Sequence, residues 1–391
     1  MAKAGYIGIR VDATDNIPKK IKNIFFGVNG VAKKVKKAYI GIENVAKLWF
    51  SSGSSPSSAT YIQRLLPDAD HGNDSGVSVG KNSTYIMVAG GCEKGTTLKS
   101  TVTAFDSNMQ EHAVGDLQDT IASSANATIG DYCIFCGGWN GYASLNGNSI
   151  CEWVSAYNSS FTRKKTSVNS VGADGCGASN SKYAIFPMCQ TPDHGAEPDL
   201  SPSSTSVYAF NSDIVLSTQP ASLTKVNNEG SIEACAASHN NYALILGHTN
   251  GQSRHFVDCY DTSLTKTSYS IPSYGIGGTT KTHAILCANQ ETAYAYDNNK
   301  SRSSFLGDSS IYSSVSDVNM SSLQDTIDGN AVFISSDNSS IIVYSDDLVK
   351  TTIPLSTYLS NTRKVGGLKF LGNRLFVVRS NAYQVYVYDL S

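Results

Sequence analysis

An all-β fold, a seven-bladed β-propeller of four-stranded blades, is predicted for this 391-residue chain by three observations. First, a short hydrophobic strand recurs seven times, opening near Tyr85, Tyr132, Tyr183, Tyr242, His283, Ala331 and Arg374. Each is followed by a second strand that ends in an aromatic: Phe105, Tyr157, Phe210, Tyr260, Tyr296, Tyr344 and Tyr388. Second, the period of roughly 36 to 59 residues holds several strands and no helical 3.6-residue pattern, the mark of a radial array of sheets. Third, the chain stops just after the seventh aromatic, while residues 60–67 (TYIQRLLP) look like an outer strand such as residues 351–354 (TTIP). The N-terminal strand is therefore expected to complete the last blade, which removes the exposed sheet edges that an open array would carry.

Ahead of the ring, residues 1–50 read as a small basic β-hairpin domain. The segment FGVNGVAKKV at residues 26–35 realigns fourteen residues later as IGIENVAKLW at residues 40–49, and residues 6–9 read as a partial earlier copy. Each copy is two β-branched runs around a turn, Asn29-Gly30 or Glu43-Asn44, which is a hairpin signal. Residues 1–53 hold ten Lys or Arg against three acids, whereas residues 54–391 hold 20 against 29, so the two parts carry opposite charge and suit different partners. Lys33, Lys34, Lys36, Lys37 and Lys47 alternate with apolar strand residues and lack an aromatic stacking platform. They read as a solvated face that protects hairpin edges, and nucleic acid is not an expected partner. Residues 51–59 (SSGSSPSSA) form a flexible linker to the propeller of residues 60–391.

Within each repeat four strands, a to d, are expected from the axis outward. Strand a is short and built of small residues (76–79, 123–128, 175–179, 233–238), because seven inner strands must converge on one channel. Turns such as Gly130-Asp131, Asn240-Asn241, Gly329-Asn330 and Gly372-Asn373 lead into strand b, whose continuous apolar runs, as at residues 243–246, suit burial on both faces. Strand c alternates up to its aromatic. Turns rich in Asp, Asn or Ser at 106–108, 261–263 and 346–347 then feed strand d. Pro187 lacks a ladder donor and predicts a bulge or interruption in the third strand b.

Composition narrows the setting. An apolar fraction of 40% supports a core, and no stretch approaches the ~20 apolar residues that span a bilayer. The first residues lack a charged segment followed by an apolar one, so synthesis in the cytoplasm without a signal peptide and no membrane insertion are expected. Nine cysteines, scattered on strand positions, read as reduced packing residues. Cys133 and Cys136 form a lone CxxC whose members point to opposite faces of a strand, so no metal or other cofactor is expected.

The connections between strands b and c are unequal, and long loops usually persist for function. Residues 93–100, about a dozen residues around 140–148, and residues 190–204 are long, while blades five to seven read as two- or three-residue turns. All lie on one face, where ligands are expected. Asp193, His194, Glu197 and Asp199 could hold a hard cation or act as an acid/base set, and Trp139 and Tyr142, flanking Asn140, could stack on a sugar ring. The same residues also fit a polar, proline-stiffened surface loop with aromatics plugging a gap between blades.

Two resemblances add expectations. The duplicated motif of residues 26–49 resembles short modules near the ends of tail-associated structural proteins of phages and prophages of Firmicutes. That implies attachment to other tail or particle proteins through residues 1–53, an outward-facing domain behind, and a place in the virion. The doublets Gly90-Gly91 and Gly137-Gly138 at the end of strand b resemble Kelch repeats. Later repeats keep one glycine (Gly247) or none, and the Kelch tryptophan near strand d is replaced by Phe161, Ile214, Leu264 and Leu348.

Catalytic sets are not assembled. The histidines at 71, 112, 194, 239, 248, 255 and 283 do not form the tyrosine, histidine and cysteine set of a Kelch-fold radical copper oxidase. Sialidase Ser-x-Asp-x-Gly boxes and a Gly-x-Ser-x-Gly elbow are missing as well. The reading is a non-enzymatic phage or prophage tail-associated structural protein whose propeller presents a binding face, with a cell-surface glycan as a candidate ligand. The alternative is a bacterial glycan-binding or glycan-active Kelch-type propeller outside any virion.

Overall fold

A computed structural model describes the N-terminal strands Phe25–Val28, Val31–Lys34, Lys37–Ile42 and Val45–Ser51. Of residues 56–390 it describes all but 68–69, 72–75, 94–96, 139–152, 169–175, 188–205, 218–220, 223–232, 249–254, 272–274, 289–291, 312–321, 356–364 and 380–382. The chain divides into two units, residues 1–54 and 55–391. The first holds two antiparallel strand pairs whose registers end at Val28↔Val31 and Ile42↔Val45, each with two residues between the paired ends.

The second unit is the propeller: seven four-stranded antiparallel sheets, each ordered a-b-c-d. Strands a are Ser78–Lys81, Ala125–Ile129, Ala178–Ser179, Glu233–Ser238, Gly275–Thr279, Gln324–Ile327 and Val365–Leu371. Each touches the strands a of both neighbouring blades, and the seventh touches the first, so the ring is closed. Strand a of blade 2 begins at Ala125 rather than Ser123, because Ser123 has a φ of 53° and leaves the extended region. In blade 3, strand b runs Ala184–Pro187 without a register shift and ends at the proline, paired Pro187↔Val207.

Closure is as expected. Strand Ala59–Leu65 pairs with Gln384–Leu390 as the outer strand of blade 7, with a one-residue bulge at Ile62. Tyr61 meets Tyr388 edge-on, with ring centroids 5.7 Å apart.

The aromatics that end strand c explain why the repeat carries them. Phe105, Tyr157, Phe210, Tyr260, Tyr296, Tyr344 and Tyr388 are all fully buried. Tyr157 packs with Met87 and Ala104 of blade 1, Tyr260 with Ile185 and Ala209 of blade 3, and Phe105 with Phe376 and Val378 of blade 7. Each aromatic thus pins its blade to the one before. Strand b serves two interfaces by alternation: Ala243 and Ile245 face blade 3, while Tyr242 and Leu244 face blade 5. Cys133 and Cys136 obey the same rule, one packing toward blade 1 and the other toward blade 3. Cys92, Cys133, Cys136, Cys176, Cys259 and Cys287 are all buried.

The turn after strand c is one repeated device. In blade 4 the Asp261 carboxylate accepts the amides of Ser263 (2.8 Å) and Thr265 (3.0 Å), and Leu264 sits at a φ of 59°. Asp106, Asn158, Asn211, Asp297 and Ser345 head turns in which the third residue on has a φ of 59–66°: Met109, Phe161, Ile214, Lys300 and Leu348. Burial alone would raise the Asp261 carboxyl, but those two amides and the Lys300 ammonium outweigh it and hold the group below its ordinary range. Ile214 and Leu264 are buried, so in these turns the left-handed residue is also a core residue.

Three b–c connections differ from expectation. The first contains a further hairpin, Cys92–Glu93 with Thr97–Leu98, that the sequence pattern did not show. Blade 6 has five residues between Ile334 and Ser340 rather than two or three, closed by Ser335 and Asp337 through a 2.6 Å hydrogen bond. Blade 7 has four, between Arg379 and Gln384.

The seam between blades 7 and 1 is clamped by His71, on the connection entering strand a of blade 1. The ring is 1% exposed and lies 4.2 Å from the Tyr383 ring. Nδ1 is 2.9 Å from the Gly90 carbonyl and must carry the proton, so Nε2, 2.8 Å from Thr103 Oγ1, accepts from that hydroxyl. Burial pushes the imidazole down to about 4, against the pull of the Gly90 carbonyl and the Asp70 charge. Below pH about 6.5 the unfolded chain takes up a proton that the folded chain refuses until about pH 4. The stability held by neutral His71 is therefore intact above pH 6.5 and is lost as pH falls toward 4, by up to roughly 3 kcal/mol. Urea midpoints measured from pH 7.5 to 4.5 are expected to fall more steeply for the parent than for His71→Gln; parallel curves would refute the assignment.

Candidate functional site: the axial cavity

Small residues on strands a leave space on the axis. A cavity of about 220 Å³ is lined by all seven blades, mostly from the C-terminal halves of strands a, next to the a–b turns. Its wall carries the hydroxyls of Thr128, Ser179, Ser238, Thr279 and Thr326, together with Lys81, Asp325 and Lys369.

The wall doubles as an inter-blade belt. Thr128 Oγ1 donates to the Lys81 carbonyl (2.5 Å), Thr326 Oγ1 to the Thr279 carbonyl (2.9 Å), and Thr279 Oγ1 to the Ser238 carbonyl. Each hydroxyl therefore ties one blade to the one before. Deeper in, Ser322 Oγ accepts from the Val79 amide (3.0 Å) and from Asn126 Nδ2 (2.9 Å), joining blades 1, 2 and 6.

Three charges meet where blades 6, 7 and 1 join. Lys81 Nζ lies 2.6 Å from Asp325 Oδ2 and donates to the Phe370 carbonyl (3.3 Å). The Phe370 amide donates to the same carboxylate oxygen at 2.6 Å, and Lys369 Nζ donates to the Gln324 carbonyl at 2.7 Å. Lys369 is only 4% exposed. Burial pushes its ammonium down to about 8; Asp325 pulls it back up, and Lys81 pushes it down again. Cys133, also near Lys369, is driven far up by burial and is a neutral thiol. The result is a buried cluster with two ammonium groups and one carboxylate on a polar wall, the kind of arrangement that marks a candidate site.

Sequence reasoning placed the ligand site elsewhere. Trp139, Asn140, Tyr142, Asp193, His194, Glu197 and Asp199 all lie outside the described residues. The axial cavity is lined by other residues. Its signal in the sequence is faint: Lys81, Asp325 and Lys369 are charged residues on inner strands made mostly of small or apolar ones. Among the described residues, no group of three or more His, Cys, Asp or Glu is placed to hold a metal ion, and no helix is long and apolar enough to cross a membrane.

The glycine doublets have a structural cause. Gly90, Gly91, Gly137 and Gly138 all have positive φ, from 65° to 120°. A Cβ at Gly91 would lie 2.1 Å from the His71 carbonyl oxygen, and one at Gly138 would lie 2.8 Å from the Ala122 carbonyl oxygen. The doublets let strand b end against the segment that enters a neighbouring strand a.

Comparison with known proteins gives the same architecture. No protein-family model and no curated protein sequence matches the chain. Among solved structures it is similar to virginiamycin B lyase from Staphylococcus aureus, at 10% identity over 84% of this chain and 99% of that one, with a TM-score of 0.52. It is also similar to the Pan2 WD40 domain of Neurospora crassa, at 10% identity over 86% and 96%, with a TM-score of 0.52. A chain of the mitotic checkpoint complex aligns at 12% identity over 91% and 99%, with a TM-score of 0.51. At such identities the likeness concerns the fold alone, and one of these structures is a lyase while another is a chain of the mitotic checkpoint complex. What the chain shares with them is its overall fold.

Proposed function

We propose that this chain is a non-enzymatic structural protein of a phage or prophage tail, in which residues 1–53 attach to other tail proteins and the propeller presents its b–c face to a cell-surface glycan. The observation that carries the reading is the closing strand. Ala59–Leu65, reached by a short linker from the duplicated hairpins, is hydrogen-bonded along the C-terminal strand Gln384–Leu390. A pull on the attachment module enters the ring along this antiparallel ladder, where many hydrogen bonds share the load. That suits a rigid domain held by its N-terminus. The Kelch-like glycine doublets and the unequal b–c connections support a display role, since the blades are standardised and the loops vary.

Immunogold labelling with an antibody to the propeller, on particles induced from the strain that encodes the chain, is expected to mark tails. Particles from a strain lacking residues 1–53 of this protein should be unlabelled. Label confined to cell fractions would overturn the tail assignment. Binding on a glycan array that is lost in Trp139→Ala and Tyr142→Ala would then favour the glycan-binding bacterial propeller.

A further inference from the structure

We infer that the axial cavity binds a small neutral polyol, whose hydroxyls donate to three threonine oxygens and accept from Ser238 and Lys81. The inference does not rest on the tail assignment or on the b–c loops.

Thr128, Thr279 and Thr326 line the cavity, and each is half-buried between two fully buried neighbours on its strand. Each donates its one hydroxyl proton to a main-chain carbonyl of the preceding blade. A hydroxyl engaged in this way keeps lone pairs but has no proton to give, so toward the cavity these oxygens only accept. Donors stand on the same wall. Ser238 Oγ accepts from the Ser179 amide at 2.9 Å and from the Ser179 hydroxyl at 3.3 Å, which among the described residues leaves its own proton for a guest. Lys81 Nζ has three hydrogens and gives one to Asp325 Oδ2 at 2.6 Å and one to the Phe370 carbonyl at 3.3 Å. Its side chain is 28% exposed, so a guest can reach the third.

The charged groups are held by the protein itself. Asp325 Oδ2 takes Lys81 Nζ and the Phe370 amide, each at 2.6 Å, and Lys369 Nζ donates to the Gln324 carbonyl at 2.7 Å. A guest therefore need not bring charge. A cation would meet two ammonium groups on the wall, and an anion would meet a carboxylate and three oxygens that only accept. An apolar guest would bury those oxygens without donors. A run of adjacent hydroxyls donates and accepts at every carbon, and so matches both kinds of wall group. The volume of about 220 Å³ holds roughly seven waters at liquid density, or one polyol of about ten heavy atoms that displaces them.

Isothermal titration of the full chain with xylitol, 1,5-pentanediol and xylonate at constant ionic strength tests the site. Xylitol is expected to bind saturably with a Kd below about 10 mM. It should bind at least about tenfold more tightly than 1,5-pentanediol, which has the same carbon chain without the middle hydroxyls. Xylonate, which carries a carboxylate at one end, should bind no more tightly than xylitol. Thr279→Val keeps the side-chain shape, removes the accepting oxygen and is expected to weaken xylitol binding about threefold or more. Thr279→Ser keeps the hydroxyl and should stay within about twofold of the parent. If Thr279→Val fails to fold by circular dichroism, Thr128→Val and Thr128→Ser carry the same test. Heat from xylitol that never saturates, equal binding of 1,5-pentanediol, or tighter binding of xylonate would overturn the inference. So would undiminished binding in a folded valine variant, or equal losses in the valine and serine variants.

Discussion

A chain beginning at residue 67 loses cooperative folding, whereas one beginning at residue 55 unfolds at the temperature of the full protein. This contrast is expected because the first residues of the second unit supply the outer strand of blade 7. Without Ala59–Leu65 the strand Gln384–Leu390 becomes an unpaired edge, and Tyr388 loses the edge-on contact of Tyr61. Tyr61 also packs against the core shared by blades 5 to 7, and Ile62 and Leu65 pack against the core between blades 7 and 1. Lost apolar burial at about 1.5 to 3 kcal/mol per side chain, plus about 0.5 to 1.5 kcal/mol per ladder hydrogen bond, sums to the order of a domain's whole stability. The exposed edge adds a tendency to pair with other chains. Calorimetry of the two truncations decides the matter. A residue-67 chain that melts cooperatively within about 2 °C of the parent would show that the ring does not depend on its closing strand.

Gly277→Ala destabilises the ring by about 3 kcal/mol or more, while Gly372→Ala costs about 1 kcal/mol. Gly277 is on strand a of blade 5, and a Cβ there would lie 2.2 Å from the Ala236 carbonyl oxygen and 2.5 Å from its carbon. Both are backbone atoms of blade 4, held in a closed ring, so neither can retreat as the end of a long side chain could. Gly372 has a φ of 62° but nothing within 4 Å of its would-be Cβ, so it reports left-handed strain alone. Urea unfolding of the two variants measures the difference. Equal losses would mean that the inner ring yields to an added methyl group, contrary to close packing at the axis.

These positions show how much was legible in the sequence. Seven aromatic-ended strands, the two hairpins and the closing segment follow from local patterns, because a strand, its turn and its buried aromatic lie within one repeat. The residues that repeat least were read least well. The hairpin Cys92–Glu93 with Thr97–Leu98 is too short to show a period-2 pattern, and the five-residue connection of blade 6 depends on Ser335 and Asp337 bonding each other. In the sequence Gly91 is half of a glycine doublet and Gly277 one of several small residues, with nothing to show what either must avoid. Their necessity comes from backbone atoms of a different segment or blade, which no window of sequence contains.

By itself the sequence determined the class of fold, the number of blades and the strand that closes them, since each is written as a repeating local pattern of apolar and turn residues. Tertiary structure alone decided where charge gathers. Lys81 and Asp325 stand 244 positions apart and Lys369 comes from a third blade, yet ring closure brings all three to one cavity on the axis. The physical reason is that the blade pattern is satisfied strand by strand, whereas the axial site exists only when the first and last blades meet.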